Sequence, residues 1–433
     1  MRMKFNKSSQ LLLASAACLL AASLVTACGT LTTDFVYVTS SKAAGSNNYG
    51  EIDVFEINSQ SGFMRQIPTS PFPSGGRNPV AEAVSSDQFN LYVVNQDDNS
   101  IVQFAIGNDG KVYPQNTVNT PGIYPLAVAV SGTSLFVLDT FQPLPICSTA
   151  DPCSGSIGVL PITVGTGSPP SDTLGSPVAN GSLTYWPLCQ YGYVSATNFT
   201  QCAAGPTNDV ITPTALNVLR SGAYVFISAY DSTVTPNRGY IFAFAVGSGG
   251  ALTPVNGGVP HDMGIGGSGL GIHPTAVASD ATSTYVYVTD STNGVVASYS
   301  IASGALTRIG DTPTGNQPSA IVADPQYPFV YVANSLDDTV SAYSISNGVL
   351  TSLGSYATGT QPVAIGIDPS TNHFLYTANF LGSGTNGTIS GFELDPAAGT
   401  LVNSENSPYN ANAQPTAVAA IPHGVTKSSS SSQ

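Results

Sequence analysis

At one position of a sevenfold repeat this chain carries a carboxylate where the six equivalents are aliphatic: Glu82 stands where the other copies have Val128, Leu216, Val277, Ile321, Ile365 and Val418. Burial in an apolar layer raises a carboxyl pKa and suits the group to general-base work. Arg77, two residues before Pro79, is the nearest cation able to hold a developing oxyanion, so the pair would serve attack of water on a carbonyl. The alternative is a Glu82 that faces channel water, paired with Arg77. His273 is the second candidate base. It directly precedes Pro274, where three other copies carry Gln317, Gln361 and Gln414, and these four are expected to ring a channel mouth with polar heads. His261, His373 and His423 have no such placement.

The elements that must position these groups are legible as a repeat. A proline opens a short run of small and aliphatic residues seven times, at Pro79, Pro125, Pro213, Pro274, Pro318, Pro362 and Pro415. After six of them comes an aromatic-rich strand ending in Asn, Asp or another small polar residue, as in Val330-Tyr331-Val332-Ala333-Asn334. Tyr287 to Tyr331 is 44 residues and Tyr331 to Tyr376 is 45, the period of a propeller blade with four strands. A third segment such as Thr339-Val340-Ser341-Ala342-Tyr343-Ser344-Ile345 alternates with period two, as a half-buried strand does. The first aromatic strand, Phe35 to Thr39, has no opener before it, and the last opener, Pro415, has no aromatic strand after it. The expected fold is therefore all-β, a seven-bladed β-propeller of four-stranded antiparallel blades whose N- and C-terminal strands share one blade, over residues 35–423.

Composition bounds the setting. Only 8% of residues are charged, and residues 1–27 hold Arg2, Lys4 and Lys7 but no acid, leaving eight basic against 25 acidic residues. Such a surface is not expected to take nucleic acid or to lie on an anionic membrane. Met1 to Lys7, the apolar stretch Leu11 to Leu24 and Val25-Thr26-Ala27-Cys28 resemble a lipoprotein signal peptide, whose Cys28 would be lipidated and anchor the chain to a bacterial envelope membrane. The tether 28–34 would then hold the disc within about 20 Å of that membrane at ~3.3 Å per residue. Four further cysteines, Cys147, Cys153, Cys189 and Cys202, lie in an insertion at about 140–212. Proximity favours Cys147 with Cys153 and Cys189 with Cys202 among the three pairings, in keeping with an oxidising compartment. A metal site is the rival use, but the spacing is not that of zinc ligands and no histidine lies nearby. No cofactor motif is present, and the serine-rich tail 424–433 has no means of ordering itself.

The segments Tyr331-Val332-Ala333-Asn334 with Asp338-Thr339-Val340-Ser341, and Tyr287-Val288-Thr289-Asp290 with Val295-Val296, resemble the YVTN-repeat propellers and the related lactonase-like family that includes propeller-type 6-phosphogluconolactonases. The resemblance implies the same fold and, in the enzymes of that family, opening of a lactone. Lactonase-like members carry His or Arg directly after the inner-strand proline. Here those places hold Val80, Leu126, Thr214, Thr275, Ser319, Val363 and Thr416. The expectation is accordingly a monomeric binding scaffold for a saccharide, lactone or envelope protein, with a lactone hydrolase using Glu82 or His273 and Arg77 as the alternative.

Overall fold

The computed structural model describes residues 33–41, 49–58, 61–147, 152–166, 172–205, 209–264, 269–368, 374–382 and 386–421. They form seven antiparallel sheets. Blade 6 shows the plain unit: Pro318–Ala323 innermost, then Phe329–Asn334, Thr339–Ser346 and Val349–Ala357, each paired with the next. Blades 2 (79–119) and 5 (274–313) repeat it. In blades 1, 3, 4 and 7 the outermost strand is split into two short pieces that both pair with the third strand.

The ring closes through blade 1, whose innermost strand is the C-terminal Gln414–Ile421 and whose second is the N-terminal Thr33–Ser41. Their register runs from Phe35 opposite Ile421 to Ser41 opposite Gln414. Each innermost strand packs against the next around the whole circle. The apolar layers lie between blades: Val277, on blade 5, packs with Phe226 and Ile241 of blade 4, while its neighbour Ala276 packs with Val330 and Val332 of blade 6. Toward the axis the wedge narrows, which is why the residue two after each opener is alanine, from Ala81 to Ala417, while aromatics such as Tyr331 and Tyr376 occupy the second strand.

The proline opener produces the same local irregularity in every blade. Between the proline and the alanine two residues later, the register against the second strand slips by one. Proline has no N–H to give the ladder, and a bulge turns the following side chain out of the sheet. In three of the four blades where that side chain is a hydroxyl it bridges to the next blade, whereas Thr214 Oγ1 turns back to Ser228 O of its own blade at 3.1 Å. Thr275 Oγ1 donates to Pro318 O at 2.6 Å, Ser319 Oγ to Pro362 O at 2.6 Å and Thr416 Oγ1 to Pro79 O at 2.7 Å. Further out, Tyr37 and Tyr331 donate their hydroxyls to hairpin carbonyls of the next blade, Gly110 O and Gly399 O.

The stretch 140–212 contains more ordinary structure than its sequence suggests. Ser156–Thr163 is the third strand of blade 3, and Thr173–Leu174 and Trp186–Pro187 are its outer pieces. Trp186 is buried with Tyr240 and Phe242 of blade 4. The cysteines pair as Cys147–Cys153 and Cys189–Cys202. Within the second loop Tyr193 N–H donates to Gly257 O at 3.1 Å and Gln190 Nε2 to Tyr240 Oη at 2.7 Å, tying it to the outer edge of blade 4.

The hydroxyl bridge at the ring closure gives a direct stability expectation. Thr416→Val keeps shape and removes the donor to Pro79 O, leaving a carbonyl unpaired, and should cost about 1–2 kcal/mol in denaturant unfolding. An unchanged transition midpoint would show that the bridge contributes nothing to closure.

Candidate functional site

One end of the disc gathers the start of every innermost strand. The residue before each opener sits there, and its carbonyl receives the N–H that follows the second strand: Gln96 N–H to Asn78 O, Ser291 to His273 O, Ser335 to Gln317 O and Phe380 to Gln361 O, at 2.9–3.0 Å. The loops after the aromatic strands therefore share this face with His273, Gln317, Gln361 and Gln414. Asn78, Tyr124 and Thr212 hold the corresponding places in the other blades. At Asn78, Tyr124, Gln317 and Gln361 the backbone is left-handed, with φ of 49–58°.

The polar residues ending the second strands hold this mouth in shape. Asn334 Oδ1 accepts from Thr314 Oγ1 at 2.9 Å and from the Gly315 N–H at 3.1 Å, just before the opener of its own blade. Asp290 Oδ1 accepts the His273 N–H at 3.0 Å, and Asp139 Oδ2 the Gly122 N–H at 2.9 Å. The close approach explains a glycine three residues before the opener: a Cβ on Gly315 would lie 2.6 Å from Asn334 Cγ. This Gly-x-x-Pro spacing, present at Gly76, Gly122, Gly271, Gly315 and Gly359, is the sequence signal that places Asn78 and Tyr124 in the ring. The acids of these loops are engaged in backbone contacts of this kind. Asp139 stands where other blades have Asn95, Asn334 and Asn379, and burial pushes its carboxyl up to about 7, partly offset by Gly122 and Thr120.

Glu82 lies on the face of blade 2 that meets blade 1. Both carboxyl oxygens are closed off from solvent and neither completes a hydrogen bond, although the backbone of Ala419 and Thr39 lies close enough to offset part of the burial. Burial holds its pKa up at about 8. At neutral pH the group is therefore mostly a neutral carboxylic acid, a proton donor rather than a standing base. Arg77 does not pair with it. Its guanidinium bonds Asp98 through Nε at 2.6 Å and reaches Asp97 O at 3.1 Å, in an exposed ion pair.

His273 is half-buried at the mouth, its ring edge-on to Tyr230 of blade 4 with centroids 4.3 Å apart. Burial lowers its pKa, with Asp290 opposing, so the imidazole is neutral at pH 7 and able to accept a proton. Glu82, Arg77 and His273 thus occupy three separate settings and share no partner. Among the described residues no cluster of His, Cys, Asp or Glu fits a metal ion. A separate cavity of about 510 Å3 opens beside Val118–Pro121 and Leu174–Pro177, with no titratable side chain on its wall.

Residues 278–420 match the sequence family described as Lactonase, 7-bladed beta-propeller. The matched segment includes Tyr287-Val288-Thr289-Asp290 and Tyr331-Val332-Ala333-Asn334. It takes in most of blade 5, blades 6 and 7, and the strand that closes the ring. Among solved structures, the periplasmic gluconolactonase PpgL of Pseudomonas aeruginosa superposes with a TM-score of 0.63 at 18% identity, over 91% of this chain and 100% of that one. A protein of Bacteroides uniformis proposed to be a 6-phosphogluconolactonase gives 0.65 at 17% identity, over 90% and 99%. A counterpart from Bacteroides fragilis gives 0.63 at 19%, over 90% and 99%. No curated protein matches the chain. At these identities the structures establish the fold.

Glu82 makes stability depend on pH. Its folded pKa lies above the ordinary 4.5, so the folded state holds a proton that the unfolded chain releases, and stability falls as pH rises from there through about 8. Glu82→Gln removes the titration. Its melting temperature should gain steadily on the wild type between pH 5 and pH 8 (roughly the window of that shift), whatever the offset at low pH; parallel curves would show that Glu82 ionises normally.

Proposed function

We propose that the chain is a hydrolase of lactones working at the His273 mouth. The observation that carries this is a neutral, half-buried imidazole set among polar side chains at the end of the ring where every innermost strand begins, within a lactonase-like propeller. A neutral imidazole can draw a proton from water as it attacks the lactone carbonyl, and the amides of Gln317, Gln361 and Gln414 can orient the ring oxygens. Glu82 is the second candidate, as a proton donor in its neutral form. Arg77 would steady an oxyanion only when released from Asp98.

Residues 1–27 are read as a lipoprotein signal, Cys28 as the lipidated residue, 28–34 as the tether, and 424–433 as a tail; Cys28 lies outside the described residues. The paired cysteines fit an extracytoplasmic location. Thr33–Ser41 runs toward the mouth, where Ser41 meets Gln414. The chain is taken as a monomer.

A panel of sugar and acyl lactones tests the hydrolase. Turnover above the spontaneous rate is expected for at least one, with His273→Ala lowering kcat by about 10²-fold or more. The kcat/KM profile should fall only below the ordinary imidazole range, because His273 titrates low. Background rates across the panel, or an unaffected His273→Ala, would defeat the assignment. Cys28→Ala should move the protein from the membrane to the soluble fraction of cells; an unchanged distribution would reject the anchor.

A further inference from the structure

The electrostatics of the mouth point to a substrate class. Acids touch its ring on blade after blade: Asp97 and Asp98 beside Arg77 and Asn78, Asp290 on His273, Asp337 on Asn316, and Asp338 on Gln361. Asn316 donates to Asp337 through both its N–H and Nδ2, holding that carboxyl below its ordinary range, and Arg77 holds Asp98 down through their bonds despite partial burial. Five acids thus border the mouth against one guanidinium, which Asp98 already engages.

The rest of the molecule supplies no free cation to this face among the described residues. Arg65, Lys111, Arg238 and Arg308 are paired with Glu56, Asp109, Asp262 and Asp311. Arg220 lies in the hairpin after Ile211–Val218, at the opposite end of the strands from the opener. Lys42 falls outside the described residues, and one lysine would not reverse the sign of five acids. His273, kept neutral by burial, adds no charge.

The uncharged surface is also of one kind. Leu336 and Leu381 hold equivalent positions two residues past Asn334 and Asn379, 64% and 42% exposed, and their N–H groups reach Asn316 O and Thr360 O at 3.3 and 3.2 Å. They stand directly beside Gln317 and Gln361. Amides with apolar edges suit hydroxyls and ring C–H faces. A phosphate dianion would lose water here with no cation to replace it, in a negative field.

Resting on the hydrolase reading for its chemistry, we infer that this mouth selects a neutral, unphosphorylated lactone and rejects the phosphate ester of the same ring. The test compares D-glucono-1,5-lactone with its 6-phosphate as substrates, and the corresponding non-hydrolysable lactams, with and without phosphate, as calorimetric ligands at low salt. The neutral member of each pair should be favoured by about tenfold or more, with the gap narrowing as salt screens the acids. Gln361→Lys should narrow it further by placing a cation on the ring. Neutral-lactam preference without turnover of either lactone would sink the hydrolase and uphold the charge selectivity. Equal or better use of the phosphate ester, or binding of neither lactam, would overturn the selectivity itself.

Discussion

The structure depends on burial shared between neighbouring sheets. No blade has a core of its own: each apolar layer draws on two blades, so the whole stack is stable only as a closed circle. The junction of Thr33–Ser41 with Gln414–Ile421 is therefore worth more than one antiparallel pairing, since opening it would expose the layers on both sides of blade 1. The proline bulge serves the same end near the axis, where the strands come closest and only alanine fits in the row behind. It turns a hydroxyl sideways to the carbonyl of the next opener, at blades 5, 6 and 1. Where the bulged residue is Val80, Gln96 takes over and reaches Pro125 O from the neighbouring loop at 3.3 Å.

Glu82 breaks this pattern at a sensitive place, in the layer between the closing blade and blade 2, where its six counterparts are apolar. A buried carboxyl without a completed hydrogen bond is a cost that an aliphatic residue would not impose. The protein limits the cost by keeping the group protonated. That state also argues against the simplest chemical use of the residue, because a group neutral at pH 7 and closed off from solvent neither attacks nor activates water. The proposed base rests on the contrast with His273: burial leaves the imidazole neutral too, but for histidine the neutral form is the base.

The propeller was legible because its signals are local and periodic: prolines at fixed spacing, aromatic strands, and an orphan strand at each end. The site was only partly so. Gln317, Gln361 and His273 could be grouped from their place before proline, yet Asn78 and Tyr124 belong with them through a left-handed backbone and a close glycine contact that residue type alone does not announce. The partner of Arg77 was missed because Asp98 comes to it across a blade rather than along the chain. The outer strands of blade 3 were hidden because pieces as short as Thr173–Leu174 and Trp186–Pro187 carry no periodicity, so a stretch that completes a sheet read as pure excursion.

The same residues that make the mouth a rigid structure also fix its chemistry. A chain turning from a second strand into a loop needs acceptors for the N–H groups of the segment before the opener, and here Asp290, Asp337 and Asp338 supply them, as Asn334 does beside them. Among the described residues only the Arg77 guanidinium is paired with these acids, where Asp98 takes its backbone N–H as well, and Arg65, Lys111, Arg238 and Arg308 are spent on pairs elsewhere. The negative mouth is thus a consequence of how the loops are held. Amides placed before the prolines are then the polar groups left to meet a ligand, and they discriminate by hydrogen bonding rather than by charge.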